Sequence, residues 1–366
     1  MKIVMLGHKR IPSREGGIEI VVEELSTRMA AMGHEVTCLN RAGKHVSGSE
    51  FDTARMKAYK GVRIKRVLTL DKRGLAAMTA SVTGAIAAAF GKYDVVHFHA
   101  EGPCAMLWLP KLFGKRCIAT VHGLDHKRAK WGKIASAYIM LGEKCAVRYA
   151  DEIIVLSKGV QQYFLDTYNR NTVLIPNGVT PQEKREANEI IRRFGLEKEQ
   201  YILFLGRLVP EKGVHYLIEA FKSVKTEKKL VIAGGSSDTA EYSTRLKDLA
   251  AGDDRVVFTG FVQGELLDEL YSNAYVYVLP SDLEGMPLSL LEAMSYGDCC
   301  VTSDIEECTS VTGGMGLSFP KGDVVSLAAV LQKLCDMPEY AEEHKVKQLP
   351  PIYDWDSVVK RTLDVY

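Results

Sequence analysis

The chain has 366 residues, of which 46% are hydrophobic and 25% are charged. This composition is typical of a globular protein, and the length predicts two domains that each bury a core. Met1 leads directly into a strand-like apolar run, so we expect no secretory signal and a cytoplasmic protein. The uncharged stretch from Leu75 to Phe90 is too short and too weakly apolar for a spanning helix, and we expect a buried helix there.

The net charge of +1 conceals an asymmetry, because residues 1–177 carry +12 and residues 178–366 carry −11. The basic first half indicates an anionic surface or substrate, and the opposite charges favour attraction between the halves across a cleft. No helix-turn-helix, RNA-binding signature or aromatic-interleaved basic run accompanies the positive charge. We therefore expect no nucleic-acid partner.

The cysteines show neither a CxxC pair nor Cys/His ligand spacing, which argues against a zinc site and a disulfide framework. We expect reduced core residues at all eight positions, namely Cys38, Cys104, Cys117, Cys145, Cys299, Cys300, Cys308 and Cys335.

Short apolar runs rich in β-branched residues alternate with helix-length amphipathic segments, a pattern that predicts parallel α/β sheets. In the first half the predicted strands are Lys2–Leu6, Glu35–Leu39, Arg63–Val67, Asp94–Phe98, Cys117–Val121 and Glu152–Leu156. In the second half they are Tyr201–Leu205, Lys229–Ala233, Val256–Thr259, Tyr275–Leu279 and Cys300–Thr302.

The segment IPNGV (175–179) combines Pro with Asn-Gly and ends the first series of strands, so we take it as the linker. The predicted domains are residues 1–177 and 178–349. The Pro350-Pro351 pair then breaks the chain before a helical segment, 350–366, that we expect to pack back on the N-terminal domain.

After the first predicted strand, Gly16 and Gly17 directly precede a helix of apolar period. A glycine pair that opens a helix lets backbone N–H groups approach an anion such as a diphosphate. The spacing is not GxGxxG, which disfavours a nicotinamide cofactor. A flexible turn is the alternative.

Further along, His97 and His99 lie at the end of one predicted strand, and His122 directly follows the next. A His at this edge suits a hydrogen bond to a sugar hydroxyl or phosphate, while a purely structural role remains open for all three. The basic residues that follow His122 favour contact with a negatively charged acceptor; together with Trp131 they are Lys127, Arg128 and Lys130.

The strand that ends at Leu205 is followed by GRLVPEKG, which carries Arg207 and Lys212 between glycines. In parallel sheets, ligands bind beyond the carboxyl ends of the strands. Arg offers a planar pair of donors and Lys a point charge, which together suit a leaving diphosphate. Two solvated surface charges are the alternative.

The strand that ends at Leu279 is followed by PSDLEGMPLSLLEAMSYG, with Glu284 in the loop and Glu292 on a helix beginning near Pro287. The helix N-terminus suits phosphate oxygens, and a carboxylate just inside it suits vicinal ribose hydroxyls. Two unrelated surface carboxylates are the alternative.

Taken together, GGIE, GRLVPEKG and EGMPLSLLE resemble the motifs of retaining glycosyltransferases of the GT-B fold, family 4, over nearly the whole chain. The resemblance implies two Rossmann-like domains that face a central cleft, with the nucleotide sugar held by the C-terminal domain. It implies that Arg207 and Lys212 neutralise the diphosphate, that Glu284 lies near the sugar and phosphates, and that Glu292 binds the ribose.

The same resemblance implies a contact from His122 to the donor sugar. It places the remaining donor contacts at Gly16, Gly17, Phe261, Val262, Gly285, Met286, Pro287 and Leu288. The segments YKGV and GLDHKRAKWG are similar to a branch of bacterial rhamnosyltransferases for surface polysaccharides, which often has an aromatic residue where this chain has His126.

These features predict transfer of a hexosyl unit from a dTDP-, UDP- or GDP-sugar to a lipid-linked or oligosaccharide acceptor, without metal or cofactor. The protein would work at the inner face of the plasma membrane as a peripheral protein. A sugar-nucleotide epimerase of the same fold and a non-catalytic glycan-binding protein are the alternatives.

Overall fold

The computed structural model describes residues 1–14, 16–42, 56–70, 75–127, 132–235 and 240–366. The chain divides into two compact units. The first comprises Met1–Gly178 together with Pro351–Tyr366, and the second comprises Val179–Pro350. The terminal segment thus belongs to the first unit, and the junction lies one residue from the boundary indicated by the IPNGV turn.

The first unit contains a sheet of order β3-β4-β2-β1-β5-β6-β7-β8, in which only the β3–β4 pair is antiparallel. Its strands are β1 (Lys2–Leu6), β2 (Glu35–Arg41), β3 (Ala58–Tyr59), β4 (Val62–Val67), β5 (Val95–His99), β6 (Arg116–Val121), β7 (Glu152–Val155) and β8 (Val173–Leu174). Its helices are α1 (Gly17–Ala31), α2 (Leu75–Phe90), α3 (Trp108–Leu112), α4 (Lys133–Tyr149), α5 (Lys158–Tyr168) and α14 (Trp355–Val365).

The second unit contains a fully parallel sheet of order β11-β10-β9-β12-β13-β14. Its strands are β9 (Tyr201–Leu205), β10 (Lys229–Ala233), β11 (Val256–Gly260), β12 (Val276–Leu279), β13 (Cys299–Ser303) and β14 (Leu317–Phe319). Its helices are α6 (Glu189–Phe194), α7 (Val214–Ser223), α8 (Ala240–Leu249), α9 (Glu265–Ser272), α10 (Leu288–Ser295), α11 (Glu306–Thr312), α12 (Val324–Asp336) and α13 (Pro338–Glu343).

The central strands are buried on both faces, which explains their continuous apolar character in the sequence. Every residue of β5 and β13 is buried. In the second sheet, Leu203 of β9 pairs with Val231 of β10 on one side and with Tyr277 of β12 on the other. Both units are therefore Rossmann-like α/β layers, as the alternating pattern predicts.

One expectation for the first unit is only half right. The stretch Leu75–Phe90 is helical, but only one face is buried, at residues including Gly84, Ala85, Ala88 and Ala89. The small residues of that face let the helix pack closely, and its larger apolar residues point into solvent instead. Among the described residues, no helix is both long and apolar enough to cross a bilayer.

Candidate functional site

Each unit has two adjacent central strands from which the chain continues in opposite directions across the sheet. The candidate loops directly follow these two strands. These strands are β9 and β12 in the second unit, and β1 and β5 in the first. Such switch points open a crevice beyond the carboxyl ends of the strands, which is where open α/β sheets bind ligands.

In the second unit, the loops after β9 and β12 are packed together by Gly213. Its φ is +66°, and a Cβ at this position would lie 1.9 Å from the carbonyl oxygen of Pro280. The Asp282 amide also donates to the Glu211 carbonyl at 2.8 Å. Only glycine permits this approach, so the GRLVPEKG loop is fixed against the loop that carries Glu284.

Lys212 and Glu284 form the charged centre of this loop pair. The Lys212 Nζ lies 2.6 Å from Glu284 Oε1, and their side chains are only 14% and 8% exposed. The Ser281 hydroxyl donates to the same Glu284 oxygen at 2.6 Å. The structure thus brings together two residues that the sequence predicted from separate motifs.

Arg207 lies on the same loop and is half-buried. The Lys212 side chain passes over neighbouring Gly206, since a Cβ there would lie 3.9 Å from Lys212 Cε. Gly206 in turn touches the next loop, because a Cβ on Gly234 would lie 1.8 Å from the Gly206 oxygen. Arg207 and Lys212 therefore lie beside the closely packed glycines Gly206 and Gly234. Because these glycines have no side chains, a phosphate can approach the backbone closely there.

Glu292 lies on α10 and is half-buried, as expected for a residue just inside a helix. Its Oε2 accepts a hydrogen bond of 3.0 Å from the hydroxyl of Tyr271. Burial, with the Glu292 charge beside it, raises the pKa of Tyr271 well above its usual value, so the hydroxyl remains a donor. Tyr271 orients the carboxylate, and no sequence motif marked it because a tyrosine in an amphipathic helix is ordinary core composition.

The EGMPLS segment forms the start of α10. Gly285, Met286 and Pro287 are buried and Leu288 is half-buried. Pro287 is the N-cap residue, and its side chain makes no capping hydrogen bond. The backbone N–H groups of the first turn are therefore not satisfied by a side-chain cap. This arrangement is suited to an anion.

Phe261 and Val262, two of the predicted donor contacts, follow edge strand β11. Phe261 is 43% exposed and Val262 is 9% exposed. A Cβ on Gly235, in the loop after β10, would lie 3.6 Å from the Phe261 Cβ. Phe261 thus lies beside Gly235, the neighbour of Gly234 in the loop after β10.

In the first unit, the GGIE turn starts α1 after Gly16, which has extended backbone. The Glu19 side chain folds back over the turn: its Oε1 accepts from the Lys9 amide at 2.8 Å, and its Oε2 would lie 2.7 Å from a Cβ on Gly16. Glu19 and Arg10 are buried, and Arg41 nearby in the fold is half-buried. The turn beside Gly17 therefore contains a buried carboxylate, that of Glu19, for which the sequence pattern predicted no role.

The three histidines cluster at the carboxyl ends of β5 and β6. His99 Nδ1 lies 3.1 Å from Nε2 of His122, which is half-buried. His97 contacts the hydroxyls of Thr120 at 2.7 Å and Tyr366 at 2.6 Å. Both ring nitrogens of His97 contact hydroxyl groups, so we assign His97 a structural role. His122 lies at the carboxyl end of β6 and keeps its predicted role in binding.

The predicted acceptor residues are only partly described. Lys127 ends a short 3-10 turn, Asp125–Lys127. Arg128, Lys130 and Trp131 lie outside the described residues.

Comparison with known proteins identifies the class of protein. Residues 15–183 match the family described as Glycosyltransferase Family 4, and residues 186–347 match Glycosyl transferases group 1. Between them these matches span most of the chain. The protein is therefore a glycosyltransferase enzyme of the GT-B fold.

Among curated relatives, an uncharacterised glycosyltransferase of Methanocaldococcus jannaschii is 27% identical over 100% of this chain and 98% of its own length. The O-antigen chain mannosyltransferase B of Escherichia coli is 27% identical over 51% of this chain and 50% of its own length. Among solved structures, Anabaena HepE in complex with UDP-glucose has a TM-score of 0.80 at 16% identity, covering 100% of this chain and 99% of HepE. At that identity the likeness to HepE shows the fold.

Proposed function

We propose that the chain transfers a hexosyl unit, in particular rhamnosyl, from a dTDP-, UDP- or GDP-sugar to a lipid-linked or oligosaccharide acceptor in bacterial surface polysaccharide synthesis. The observation that carries the donor site is the Lys212–Glu284 contact, which joins two predicted motifs at a switch point. The complex of HepE with UDP-glucose supports a nucleotide-sugar donor. The O-antigen relative supports the surface-polysaccharide role.

In this proposal the second unit binds the donor and the first receives the acceptor. The acceptor oxygen forms a bond to the anomeric carbon while the bond from that carbon to the diphosphate oxygen breaks. The electron pair leaves with the nucleoside diphosphate, and a phosphate oxygen takes the acceptor proton on the same face, so the configuration is retained. Arg207 and Lys212 stabilise the developing negative charge, which removes the need for a metal ion at the diphosphate.

The remaining roles in this proposal are those that the resemblance implies, and side-chain contacts support some of them. Glu284 holds Lys212 towards the phosphates and lies near the donor sugar, while Glu292, oriented by Tyr271, accepts from the ribose hydroxyls. The backbone at Phe261 and Val262 holds the base, and the N-terminus of α10 receives phosphate oxygens. The resemblance also assigns Gly17 to the diphosphate and His122 to the donor sugar.

The donor site is tested by nucleoside diphosphate release from a panel of UDP-, dTDP- and GDP-sugars, with and without a bacterial lipid extract, in buffer without added divalent ions. We expect extract-dependent release from one donor. Removing one preorganised charged donor group costs roughly 10²–10³ in turnover, so Lys212→Ala is expected to lose that much. The matched control is Lys247→Ala, an exposed lysine on α8. An active Lys212→Ala enzyme, or a product of inverted anomeric configuration, would contradict the proposal.

We further propose that the first unit docks on an anionic membrane through its apolar face. This face consists of exposed residues at helical spacing on α2 and neighbouring residues on and after α3: Leu75, Met78, Val82, Ile86, Phe90, Trp108, Leu112 and Phe113. The Phe90 and Phe113 rings are 4.7 Å apart, so the two segments form one continuous surface. Exposed Lys92 adjoins it, and residues 1–177 carry a charge of +12, which suits anionic headgroups.

Vesicle sedimentation tests this surface. We expect the protein to sediment with vesicles that contain anionic lipid, and the double variant Phe90→Ser/Leu112→Ser to remain in solution. The matched control, Val325→Ser/Met337→Ser, changes equally apolar exposed residues of the second unit and is expected to sediment like the unaltered protein. Equal sedimentation of both double variants would refute membrane docking through this face.

A further inference from the structure

The first unit contains a second cluster of chemically active residues, unrelated to the donor loops. Glu101 follows β5, His126 lies in the turn after β6, and Glu143 lies on α4. One potential ligand atom of each lies within 4.8 Å of the others. His126 Nδ1 is 3.3 Å from Glu143 Oε2 and 3.8 Å from Glu101 Oε1.

Both carboxylates are fully buried, and each has one oxygen held by outside donors. The Asp125 amide donates to Glu101 Oε2 at 2.8 Å. The hydroxyls of Tyr163, at 2.9 Å, and Tyr168 donate to Glu143 Oε1. The other oxygen of each carboxylate, together with His126 Nδ1, is buried without a hydrogen-bond partner. The outer donors thus hold one oxygen of each carboxylate and leave the other oxygen facing Nδ1 of His126.

The close approach of the two carboxylates is built into the backbone. A Cβ on Gly142 would lie 2.0 Å from the carbonyl oxygen of Glu101. Any larger residue at position 142 would therefore push α4 away from the segment that begins at Glu101. Gly142 sets Glu143 beside Glu101, and two buried carboxyl groups this close need either a shared proton or a cation between them.

We propose that Glu101, His126 and Glu143 bind a divalent transition-metal ion such as Zn²⁺. Two carboxylates and a neutral imidazole neutralise a doubly charged ion and supply the oxygen and nitrogen ligands that Zn²⁺ accepts. Ligand atoms around a tetrahedral ion at normal bond lengths lie about 3.4 Å apart, so His126 and Glu143 already fit and Glu101 needs a small side-chain adjustment. The hydrogen bonds from Asp125, Tyr163 and Tyr168 are the outer contacts that orient metal ligands.

The ion would have a structural role. It would tie α4 and the end of β5 to the turn Asp125–Lys127, which leads into the basic segment predicted to contact the acceptor. The site uses no residue of the donor loops, and its occupancy is measured independently of transfer activity.

The test uses the full-length protein, stripped with a chelator and titrated with Zn²⁺, and with Co²⁺ for its visible absorption bands. We expect one ion per chain and a rise in the thermal midpoint with Zn²⁺. Glu143→Gln and His126→Ala are each expected to weaken binding by about 100-fold or more. Glu23→Gln is the matched control, because Glu23 is also a buried carboxylate that accepts from a tyrosine hydroxyl, that of Tyr59.

His126 is partly exposed, so its variant keeps the test decisive if Glu143→Gln fails to fold. Stoichiometric binding that is lost in His126→Ala and kept in Glu23→Gln supports the site. Failure of the unaltered protein to take up Zn²⁺ or Co²⁺, or undiminished binding by His126→Ala, overturns it.

Discussion

At the residue scale, the Lys212–Glu284 pair makes the clearest prediction about stability. Glu284→Gln keeps the size of the side chain but removes the charge beside a lysine that is only 14% exposed. Leaving a buried charge uncompensated costs about 3 kcal/mol or more. We expect urea unfolding of the variant to show a loss of this size.

The exposed pair between Arg185 and Glu265 is the internal comparison, since the Glu265 side chain is 75% exposed. Surface pairs contribute about 0–1 kcal/mol, so Glu265→Gln is expected to unfold nearly like the unaltered protein. Equal losses in the two variants would show that burial of the Lys212–Glu284 pair has no energetic consequence.

Two buried histidines of the first unit predict a pH dependence of stability. Burial, with the nearby His122, lowers the pKa of His97 to about 3, and burial lowers the pKa of His8 to about 4. The folded protein keeps both rings neutral, whereas the unfolded chain gains protons near the ordinary value of 6.5. The free energy of unfolding therefore falls as the pH drops from 6.5 towards 4, by up to about 1.4 kcal/mol per pH unit for each ring.

Urea unfolding between pH 7.5 and 5 measures this slope. Replacing His97 by Gln is expected to reduce the slope by the contribution of one proton, because Gln does not titrate. His99, His122 and the Tyr366 hydroxyl, which surround His97, remain in the variant. A slope that the replacement leaves unchanged would show that His97 is not the titrating group.

At the scale of elements, Gly213 decides how the loops after β9 and β12 fit together. In Gly213→Ala the Cβ would meet the Pro280 oxygen at 1.9 Å in addition to the strain of a positive φ. Gly252→Ala is the control, since its φ of +87° gives comparable strain but the added Cβ meets nothing within 4 Å. Backbone strain alone costs about 1–3 kcal/mol, so we expect Gly213→Ala to be destabilised by more than Gly252→Ala and to lose donor affinity as well. Similar stability and unaltered donor binding would contradict the role given to this contact.

The predicted strands illustrate what local pattern can and cannot define. Tyr201–Leu205 and Lys229–Ala233 have the bounds expected from their apolar runs. The edge strands β3, β8 and β14 were not predicted; they have two or three residues each, too few for a periodic signal. For α2, the uncharged stretch predicted a buried helix, while the structure buries only one of its faces.

At the scale of the whole molecule, the terminal helix α14 completes the first unit. Trp355 is 2% exposed and packs on Gly178, where a Cβ would lie 2.5 Å from the indole. The Arg116 guanidinium also donates to the Val365 carbonyl at 2.8 Å, near the end of the helix. Replacing a buried tryptophan by alanine costs about 3–5 kcal/mol. We expect Trp355→Ala to lower the unfolding transition of the first unit and to leave that of the second in place.

Differential scanning calorimetry can separate the two transitions. Asp356→Ala is a suitable control on the same helix, because the Asp356 side chain is 67% exposed, and we expect it to shift neither transition strongly. A loss spread equally over both transitions would mean that the two units unfold together.

The sequence by itself determined the class of fold, the junction near residue 178 and the loops that carry Arg207, Lys212, Glu284 and Glu292. These properties follow from local patterns: apolar runs of strand length, breakers, and charged or glycine residues placed just after strands. Only the tertiary structure decided which residues meet across long separations. Tyr271 beside Glu292, His97 between Thr120 and Tyr366, and Glu101 with His126 and Glu143 are all set by strand order and helix packing. A single chain carries no local signal for such contacts, because their partners are brought together by the sheet and not by sequence spacing.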